Sequence, residues 1–582
     1  MAKHNKKNTK KKKKSKLSPE EKKKRRLKKK YKVDIKTIFT NCGFTQVTTR
    51  GVNINVNGRI GEIDSIFFYE NIIIICEDTF EKANLSDHLR KKIEFFQFLK
   101  NNLDDFHIEI RRKYPKFRSY FGINSKYKFS ECKLIFLYCS KADIRNEYKT
   151  RYRNDCKFLD YAHLQYFLNL SKTIQRSARF ELFKFLGLEL NDIGPYSSAS
   201  LSSSYDGLLL PEIPSGFPQD HKLVSFLVDP NMLLTQSYVL RADSWNDSEC
   251  LYQRLLLKSK IKSMREYLAD KKRVYINNII TTLPSETELK DNNGNLIIRS
   301  DANIIKTVKI TIPKKFGTIG IIDGQHRLYS YHEGKDTYDK KIENFRKKQH
   351  LLVTGIIYPQ DMTPAKKQQF EAELFLEIND KQKRVKGDLK QAIERIINPY
   401  SPIAIAKAVI TALAYEGPLE GQLEIHFYDI GKIKTTSIVS YGLKHIVGIP
   451  GEQREQHSLF KEWKGKGKGN IKRNKQVLDG YIRYCAKQIN MLVSGFKESL
   501  REDLWTSDKR ISRVLTTTTI NGLIYCLRLL IEHKKLNDFE YYKKVFKELK
   551  IDFRPDKFPY KSSHWKALGE EIYKQCFDKE NM

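Results

Sequence analysis

An apolar strand that stops at Asp323-Gly324 and continues as a helix restricts the fold of this chain more than any other feature. Residues 318–322 are apolar and of strand length. Asp-Gly is typical of a tight turn, and residues 328–331 begin a helical pattern that ends near Gly334. Strands that alternate with helices indicate an α/β or α+β fold. Asp323 is predicted to be the helix N-cap, because its carboxylate can accept the free N–H groups of the first turn.

Two cationic side chains, His326 and Arg327, follow the turn directly. The positive end of a helix dipole disfavours cations in the first turn, and a bound anion would reverse this effect. Free backbone N–H groups, His326 and Arg327 would then point at one phosphate. The local pattern is equally compatible with a surface turn in which Arg327 pairs with a nearby carboxylate. Both interpretations stay open at this level.

The sequence of residues 321–328, Ile-Ile-Asp-Gly-Gln-His-Arg-Leu, resembles the signature of DGQHR-domain proteins. That group includes the DndB-like proteins associated with DNA phosphorothioation and is related to the ParB/sulfiredoxin fold. Residues 252–254 and 273–280 upstream, and residues 375–385 downstream, are similar to further segments of the family in the same order. The resemblance covers roughly residues 225–450 and could extend to the C-terminus.

The resemblance implies a nucleotide or phosphate pocket at the strand–turn–helix, with ATP or another nucleotide as the ligand and nucleotide hydrolysis as the activity of some members. Asp323 would cap the helix and meet a metal or water, and Gly324 would permit close backbone approach. Phosphate contacts would come from Gln325, His326 and Arg327, and Asp323, His326 and Arg327 would be the catalytic residues. The further residues that the resemblance places near this pocket are Arg273, Asn278, Asn379, Gln382 and Arg384.

A second candidate site lies in the first part of the chain, at Asp64 and Glu77. The two residues are thirteen positions apart, and a tight turn at residues 69–71 lies between them, so both carboxylates could reach one face. This segment resembles the PD-(D/E)XK nucleases, in which two such carboxylates hold Mg²⁺ and a lysine orients water. The resemblance implies that Asp64 and Glu77 are both metal ligands and catalytic residues.

The sequence departs from the PD-(D/E)XK pattern at Thr79, which stands where the family has lysine. Lys82 in the following loop could substitute for it. Alternatively, the domain is an inactive core of the same fold that is retained for DNA contact, or an unrelated α/β core. The basic segment at residues 90–92 matches the helix that usually lies behind this core.

The charge of the chain indicates a polyanionic partner. Residues 1–30 contain 17 Lys/Arg residues against two Glu residues, which gives +15, and the remaining +23 of the formal net charge of +38 belongs to residues 31–582. A basic body beside a basic tail favours nucleic acid, through neutralisation of phosphates. A membrane surface is a distant second choice, because no apolar helix face accompanies the lysines.

Length and composition set the predicted organisation and location. A chain of 582 residues is too long for one core. Nine scattered cysteines without a CxxC pair fit a reducing cytoplasm, and no secretory signal is visible, so a cytoplasmic, nucleoid-associated protein is expected. The predicted parts are a disordered basic tail (1–30), a restriction-endonuclease-like domain (31–190), a serine-rich linker (191–222), a ParB-like DGQHR domain (223–450), and a helical region (451–582) that begins with a basic loop (451–475).

Three functions follow from these patterns. The first is a DNA-binding protein of a DNA-modification or phage-defence system, whose central pocket binds a nucleotide or DNA phosphate, with a homo-oligomer or modification proteins as partners. The second is a Mg²⁺-dependent DNA endonuclease that uses Asp64 and Glu77. The third is an RNA-binding scaffold in which the lysine tail dominates binding.

Overall fold

The computed structural model contains helices and mixed sheets throughout, so the predicted mixture of α and β structure is confirmed. The part of the chain that the structure describes comprises residues 18–49, 52–81, 84–120, 126–142, 144–196, 200–239, 256–297, 304–380, 387–426, 428–450 and 458–578.

The first part of the described chain, up to residue 196, contains a five-stranded sheet, a small hairpin and helices on both faces of the sheet. The helices are α1 (Pro19–Asn41), α2 (Leu85–Asn101), α3 (Leu103–Lys113), α4 (Pro115–Tyr120), α5 (Asn146–Arg151), α6 (Tyr161–Ile174) and α7 (Arg179–Leu186). The strands are β1 (Thr45–Thr48), β2 (Asn53–Val56), β3 (Arg59–Glu62), β4 (Ser65–Tyr69), β5 (Ile72–Thr79), β6 (Lys133–Ser140) and β7 (Lys157–Leu159).

The five-stranded sheet has the order β1-β4-β5-β6-β7, with β5 at its centre. Strands β1, β4 and β5 form an antiparallel meander, and β6 and β7 continue parallel to β5. Ile72 and Ile74 pack in one core with α1 and α6, whereas Ile73 and Ile75 pack in another with α2 and α3. Since successive strand residues face opposite sides, β5 is covered on both faces, which explains its unbroken apolar run.

The second part of the described chain is built on an eight-stranded mixed sheet, with the order β10-β14-β11-β15-β9-β8-β13-β12. Its strands are β8 (Ser202–Leu209), β9 (Lys222–Val228), β10 (Ser237–Val239), β11 (Ile279–Leu283), β12 (Glu288–Lys290), β13 (Lys306–Pro313), β14 (Ile319–Asp323) and β15 (Leu351–Ile357). Its helices are α8 (Glu212–Ser215), α9 (Pro230–Gln236), α10 (Lys258–Lys271), α11 (Gln325–Tyr329), α12 (Asp339–Lys348), α13 (Pro364–Asp380) and α14 (Gly387–Ile397).

The segment predicted to be a serine-rich linker contributes a strand instead. Strand β8 pairs with β13 along its full length, from Ser202 opposite Pro313 to Leu209 opposite Lys306, and its second half also pairs with β9. The first two parts are therefore not separated by a free tether. They share one hydrophobic core, in which the ring of Phe183 on α7 contacts the rings of Tyr69 and Phe316. Composition predicted a linker because hydroxyl side chains are common in loops, and cross-strand pairing overrode that preference.

The basic tail is helical over its described residues, contrary to the prediction of disorder for residues 1–30. Helix α1 begins at Pro19, behind a capping box in which Ser18 accepts the N–H of Glu21 and Glu21 accepts the N–H of Ser18. The helix continues into the core through Tyr31, Ile35 and neighbouring buried residues. The buried half of the helix stabilises the helical conformation of the preceding Lys/Arg-rich residues, whose mutual repulsion alone would oppose helix formation. Residues 1–17 lie outside the described part.

The last part of the described chain is mainly helical. Helix α18 packs against α15, α19 and α20, and α19 packs against α21 around a core separate from that of the sheets. Strands β16 (Leu423–Glu424) and β17 (Ile433–Lys434) form a short parallel pair, and residues Ile438–Leu443 form a π-helix. The helices are α15 (Pro402–Tyr415), α16 (Lys444–Val447), α17 (Leu459–Glu462), α18 (Lys475–Glu498), α19 (Thr517–Glu532), α20 (Phe539–Val545) and α21 (Trp565–Phe577).

Within the described ranges, no individual helix combines the length and apolar character needed to cross a membrane, although α14 and α15, bent by 108° relative to each other, meet the criteria as a pair.

A buried arginine fixes the segment that follows α11. Arg265 on α10 is 1% exposed, and its guanidinium makes a bidentate ion pair with Asp336 at 2.8 and 2.9 Å. The same group donates to the carbonyl oxygens of Ser330 and His332 at 3.0 and 2.7 Å. These contacts satisfy the positive charge in an environment where an unpaired charge would be costly.

We expect Arg265→Met to lower the free energy of unfolding by about 3–5 kcal/mol, because it leaves the Asp336 carboxylate without its cationic partner and the Ser330 carbonyl oxygen without the guanidinium donor. Lys262→Met on the same helix, whose side chain is 72% exposed, should change it by less than about 0.5 kcal/mol. Urea denaturation of both variants measures the difference. Equal stability of the two variants would show that Arg265 does not hold the segment.

Candidate functional site

Residues Asp323 to Arg327, which we call the pentapeptide, form the predicted strand end, turn and helix start, but the helix ends at Tyr329 and not near Gly334 as predicted. Strand β14 ends at Asp323, Gly324 adopts the left-handed conformation with φ of 94°, and α11 covers Gln325–Tyr329. A side chain at Gly324 would be strained by this φ and would approach the Arg327 guanidinium to 3.0 Å. Glycine is therefore needed at this turn.

The prediction that Asp323 is the N-cap is wrong. Gly324 occupies the N-cap position, and no side chain caps the helix. The carboxylate of Asp323 instead accepts a hydrogen bond from Arg327 Nη2 at 2.8 Å, and the same nitrogen donates to the carbonyl oxygen of Asn278 at 2.8 Å. Because Gly324 turns the chain sharply, the Asp323 side chain lies beside Arg327 rather than over the first helical N–H groups.

Arg327 thus adopts the alternative arrangement in which a neighbouring carboxylate neutralises it. The ion pair joins residues four positions apart and is about one-fifth exposed on each side. Helix α11 has five residues, so its dipole adds little attraction for an anion. The predicted phosphate site required the helix N-terminus, His326 and Arg327 to point at one phosphate, and this geometry does not bring them together in that way.

Two polar side chains of the pentapeptide are nevertheless incompletely satisfied. Gln325 is 3% exposed, and neither its amide oxygen nor its amide nitrogen has a hydrogen-bond partner within the described ranges. Arg327 Nε is also buried without a partner there. His326 is 7% exposed, and its Nε2 accepts the backbone N–H of Leu257 at 3.4 Å. Unsatisfied buried groups of this kind cost stability and require an explanation.

Of the other described residues predicted for this pocket, Asn278 adjoins Arg327, whereas Arg273 and Asn379 make their hydrogen bonds elsewhere. Asn278 lies beside Arg327 through its carbonyl group, and its side chain donates to Thr354 Oγ1 at 2.9 Å. Arg273 is exposed and donates to the hydroxyl of Tyr267. The Asn379 side chain donates to the carbonyl oxygen of Phe375, within α13. Gln382 and Arg384 lie outside the described residues, as does the upstream segment 252–254.

The first sheet brings Asp64 and Glu77 into one charged cluster, which we call the carboxylate cluster and define as Asp64, Glu77, Asp78, Lys32 and Lys92. Asp64 immediately precedes β4, and Glu77 and Asp78 lie near the end of the adjacent strand β5. Antiparallel pairing of β4 and β5 places Ser65 opposite Cys76, so the start of one strand meets the end of the other.

Glu77 faces α2, and Lys92 of that helix meets it. Glu77 is fully buried, and the Lys92 Nζ atom lies 2.6 Å from its Oε2 atom. Both carboxyl oxygens of Glu77 are buried, and its side chain also shares a hydrogen bond with Asp64. Lys92 follows the buried Leu89 by three positions and precedes the buried Phe96 by four, so it belongs to the inward stripe of α2.

Asp64 and Asp78 are held from the opposite face of the sheet by α1. Lys32 Nζ lies 3.0 Å from Asp64 Oδ1 and 3.0 Å from Asp78 Oδ1. The second oxygen of Asp64, Oδ2, accepts the backbone N–H of Asp78 at 3.0 Å. Neighbouring residues on a strand point to opposite faces, which is why Glu77 meets α2 while Asp78 meets α1. Asp64 lies between the two lysines.

The pKa values of Glu77 and Asp64 are shifted in opposite directions within the carboxylate cluster. Burial raises the pKa of Glu77 well above its usual value, and the nearby charge of Asp64 raises it further against the opposing effect of Lys92. Burial also opposes ionisation of Asp64, but the hydrogen bond from the Asp78 backbone and the charge of Lys32 outweigh burial, so the pKa of Asp64 is lowered. Divergent pKa values in one cluster are typical of functional sites.

The PD-(D/E)XK motif identifies neither Lys32 nor Lys92. The family places its lysine two positions after Glu77, where this chain has the buried Thr79, and the predicted substitute Lys82 lies outside the described residues. Lys92 could have been identified from its inward position on α2, within the basic segment 90–92. Lys32 precedes Asp64 by 32 residues, and no local pattern indicates that the two meet.

The donor set fits a hard divalent cation. Mg²⁺ is commonly bound through one or two protein carboxylates together with water and substrate phosphates. Asp64 and Glu77 supply two such carboxylates, and a side-chain hydrogen bond between them keeps the two groups together. No group of three or more His, Cys, Asp or Glu side chains suited to a metal occurs in the described ranges, so substrate and water would have to complete the coordination.

A cavity of about 610 Å³ lies elsewhere, among α15, α18 and α20. Its polar lining residues include Arg483, Lys487 and Asn490. None of the described residues that the sequence predicts for a site lines this cavity.

Comparisons with protein-family models, with curated proteins and with solved structures give no match for this chain. The resemblances to DGQHR-domain proteins and to PD-(D/E)XK nucleases therefore rest on the motifs and remain predictions.

We expect Glu77→Gln to stabilise the protein by about 0.5–2 kcal/mol at neutral pH, as removal of a destabilised active-site group often does. The pKa of Glu77 is higher in the folded protein than in the unfolded chain. Its ionisation therefore costs stability as the pH rises above the unfolded value of about 4.3, and glutamine avoids this cost. The advantage should disappear below that pH.

Denaturant titration of both proteins between about pH 4 and pH 8 measures this dependence. Glu94→Gln on the same helix, whose side chain is 49% exposed, should show no comparable advantage. A Glu77→Gln variant less stable than the parent at neutral pH would contradict the burial cost assigned to Glu77.

Proposed function

We propose that the chain is a metal-dependent phosphodiesterase that acts on DNA, with its site at the carboxylate cluster. One observation carries the proposal: the sheet places Asp64 beside Glu77, and each flanking helix supplies a lysine to the pair. Two carboxylates with an adjacent lysine are the groups with which the PD-(D/E)XK nucleases that this segment resembles carry out metal-assisted phosphodiester hydrolysis. The reaction class is hydrolysis of a phosphodiester bond.

The topology around the cluster supports the same reaction class. An antiparallel meander β1-β4-β5, a crossover through α2, and a parallel strand β6 surround Asp64 and Glu77. This arrangement is similar to the core that the PD-(D/E)XK resemblance implies. Lys92 on α2 would take the role of the lysine that Thr79 replaces in the strand, since its Nζ atom already contacts Glu77.

The energetics of the cluster favour a functional role over a structural one. Burying charged groups costs several kcal/mol per ion, and replacing such clusters by apolar residues is often neutral or stabilising. Here three carboxyl groups and two lysines meet at the ends of two core strands, and one carboxylate is fully buried. A site that must hold a cation and a phosphate needs this concentration of charge, whereas a stable core does not.

The residues divide the work as follows. Asp64 and Glu77 would hold Mg²⁺, which, when bound, polarises the phosphoryl group and makes a water molecule more acidic. Lys32 and the Asp78 backbone N–H fix the orientation of the Asp64 carboxylate. Lys92 holds a positive charge beside the position where negative charge develops on the phosphate. Ionised Glu77 is required for metal binding, so its raised pKa makes the site more effective at higher pH.

Charge and resemblance together favour DNA as the substrate. The body of the chain carries +23 beyond its first 30 residues, which suits a polyanion. The resemblance to DndB-like DGQHR proteins supports a role in a DNA-modification or phage-defence system, in the cytoplasm and near the nucleoid.

We expect purified protein to nick supercoiled plasmid DNA in the presence of Mg²⁺ or Mn²⁺. Asp64→Asn should reduce the rate by at least about 100-fold because a metal ligand is lost, and Lys92→Met should reduce it by about 100-fold because the charge beside the phosphate is lost. Lys91→Met removes the same charge from an exposed neighbouring position on α2 and should stay within about threefold of the parent. Gel electrophoresis of time courses gives the rates.

Two results would contradict the proposal. The first is a parent protein without nicking at high enzyme concentration with either metal. The second is nicking that survives in Asp64→Asn, which would assign the activity to another site or to a contaminant.

A second candidate function, nucleotide binding at the pentapeptide, is favoured by one observation. Both amide atoms of buried Gln325 and the Nε atom of Arg327 are unsatisfied among the described residues. A nucleotide could use these groups, as the DGQHR resemblance implies, and nucleotide hydrolysis would then regulate the DNA-directed activity. The ion pair between Arg327 and Asp323 would have to open or to accept the ligand beside it.

We expect ATP, CTP or GTP with Mg²⁺ to raise the melting temperature of the parent protein, because a ligand that binds the folded state stabilises it. Arg327→Gln and Gln325→Leu should remove this increase, whereas Lys347→Gln, at a position that is 68% exposed, should retain it. Differential scanning fluorimetry measures each shift. Absence of any shift in the parent, or an equal shift in Arg327→Gln, would count against the pocket.

A further inference from the structure

Helix α1 consists of two halves with opposite surroundings. The half from residue 31 onward is anchored by buried side chains, among them Tyr31, Ile35 and Phe39. The half from Pro19 to residue 30, which we call the cationic arm, is exposed at every position. At 1.5 Å per residue, the cationic arm is about 18 Å long. It is a stretch of helix that the rest of the described chain does not cover.

The cationic arm carries eight Lys/Arg residues within positions 22–30. At 100° per residue they surround the helix axis instead of forming one stripe. Lys24 and Lys28 lie 2.8 and 3.9 Å from Glu81, and the other six make no ion pair with the described residues. Like charges three and four positions apart destabilise a helix, so this segment gains stability from any polyanion that binds it.

The side chains of the cationic arm indicate which kind of polyanion it binds. Leu27 is the one apolar side chain of residues 20–30, so the arm has no apolar face to insert into a membrane surface. It contains no aromatic side chain, whereas proteins that bind single strands stack bases on aromatic rings. Six cations of an exposed helix that form no ion pair with the described residues suit a partner that offers phosphates on more than one side of the helix.

We infer that the cationic arm lies in the major groove of duplex DNA. An α-helix with its side chains is about 10–12 Å across, and the major groove of B-DNA is about 12 Å wide with a phosphate backbone along each wall. The major groove of duplex RNA is too narrow and deep for side chains to read. The inference rests on the proposed function, in which DNA is the substrate, and adds that the substrate is a duplex held by this helix.

The same helix connects the cationic arm to the carboxylate cluster. Lys24, Lys28 and Lys32 follow one another at four-residue intervals and therefore lie along one side of α1. The first two contact Glu81, and Lys32 contacts Asp64 and Asp78. Lys28 and Lys32 are about 6 Å apart along the axis. A duplex held by the cationic arm would thus place a backbone phosphate beside the cluster.

The test compares two variants with the same loss of charge, both in the Asp64→Asn background and without metal, so that binding is measured without cleavage. In the arm variant, the four substitutions are Lys22→Gln, Arg25→Gln, Arg26→Gln and Lys29→Gln. In the control variant, four exposed residues of the basic loop at 451–475 are replaced instead. These substitutions are Lys464→Gln, Lys466→Gln, Lys472→Gln and Arg473→Gln. Fluorescence anisotropy with a 20-base-pair DNA duplex gives Kd at several salt concentrations.

We expect the arm variant to bind about 50-fold or more weakly than the Asp64→Asn parent at 0.1 M salt, with a salt slope shallower by roughly 2–4. The control variant should lose less than about fivefold. The parent should prefer duplex DNA over a duplex RNA and a single strand of the same sequence, and over vesicles rich in phosphatidylserine. Circular dichroism of both variants verifies that the fold is retained.

Equal losses in the arm variant and the control would overturn the inference, because they would indicate a diffuse charge effect. Equal affinity for duplex RNA, or tighter binding to the vesicles than to DNA, would also overturn it. If the cationic arm binds duplex DNA but the protein with intact Asp64 does not cleave it, the proposed phosphodiesterase fails while this inference stands. If the protein cleaves DNA equally well with and without the arm substitutions, the proposed phosphodiesterase stands while this inference fails.

Discussion

The first part of the described chain has to accommodate a concentration of charge at the ends of two core strands. Pairing of β4 with β5 brings Asp64 beside Glu77 and Asp78, and this arrangement is tolerable only because Lys32 and Lys92 approach from opposite faces of the sheet. The alternation of side chains along β5 assigns one carboxylate to each helix. Because the Glu77 carboxyl group is fully buried, the cluster lowers the stability of the fold, a cost that the proposed metal and phosphate site would explain.

The two candidate sites differ in how their charges are neutralised. At the pentapeptide, Arg327 pairs with Asp323 four positions before it, within a single turn of chain. At the carboxylate cluster, each partner comes from a different element, so neutralisation depends on tertiary packing. A local pair of this kind is partly exposed and inexpensive to form. The buried cluster is expensive, and it therefore supports the stronger functional argument, although the pentapeptide carried more of the sequence resemblance.

Sequence patterns predicted those features that depend on neighbouring residues. The apolar run before Asp323, the glycine turn after it, and the approach of Asp64 to Glu77 around a short hairpin all follow from local periodicity and turn chemistry. The exact role of Asp323 did not follow, because the direction of its side chain depends on the left-handed turn at Gly324. Strand β8 and the helical arm were missed because pairing with β13 and continuity with a buried helix overrode their compositions. Lys32 meets Asp64 through packing alone, which no spacing rule reveals.

The central claim is that Asp64 and Glu77 together hold a divalent cation, and Mn²⁺ binding followed by electron paramagnetic resonance tests it most directly. Titration of the protein at about pH 8, where Glu77 is most readily ionised, should show one saturable Mn²⁺ site per chain. That site should be lost in Asp64→Asn and in Glu77→Gln, and it should remain in the exposed neighbour variant Lys91→Met. A parent protein without bound Mn²⁺, or an Asp64→Asn variant that binds it equally well, would contradict the claim.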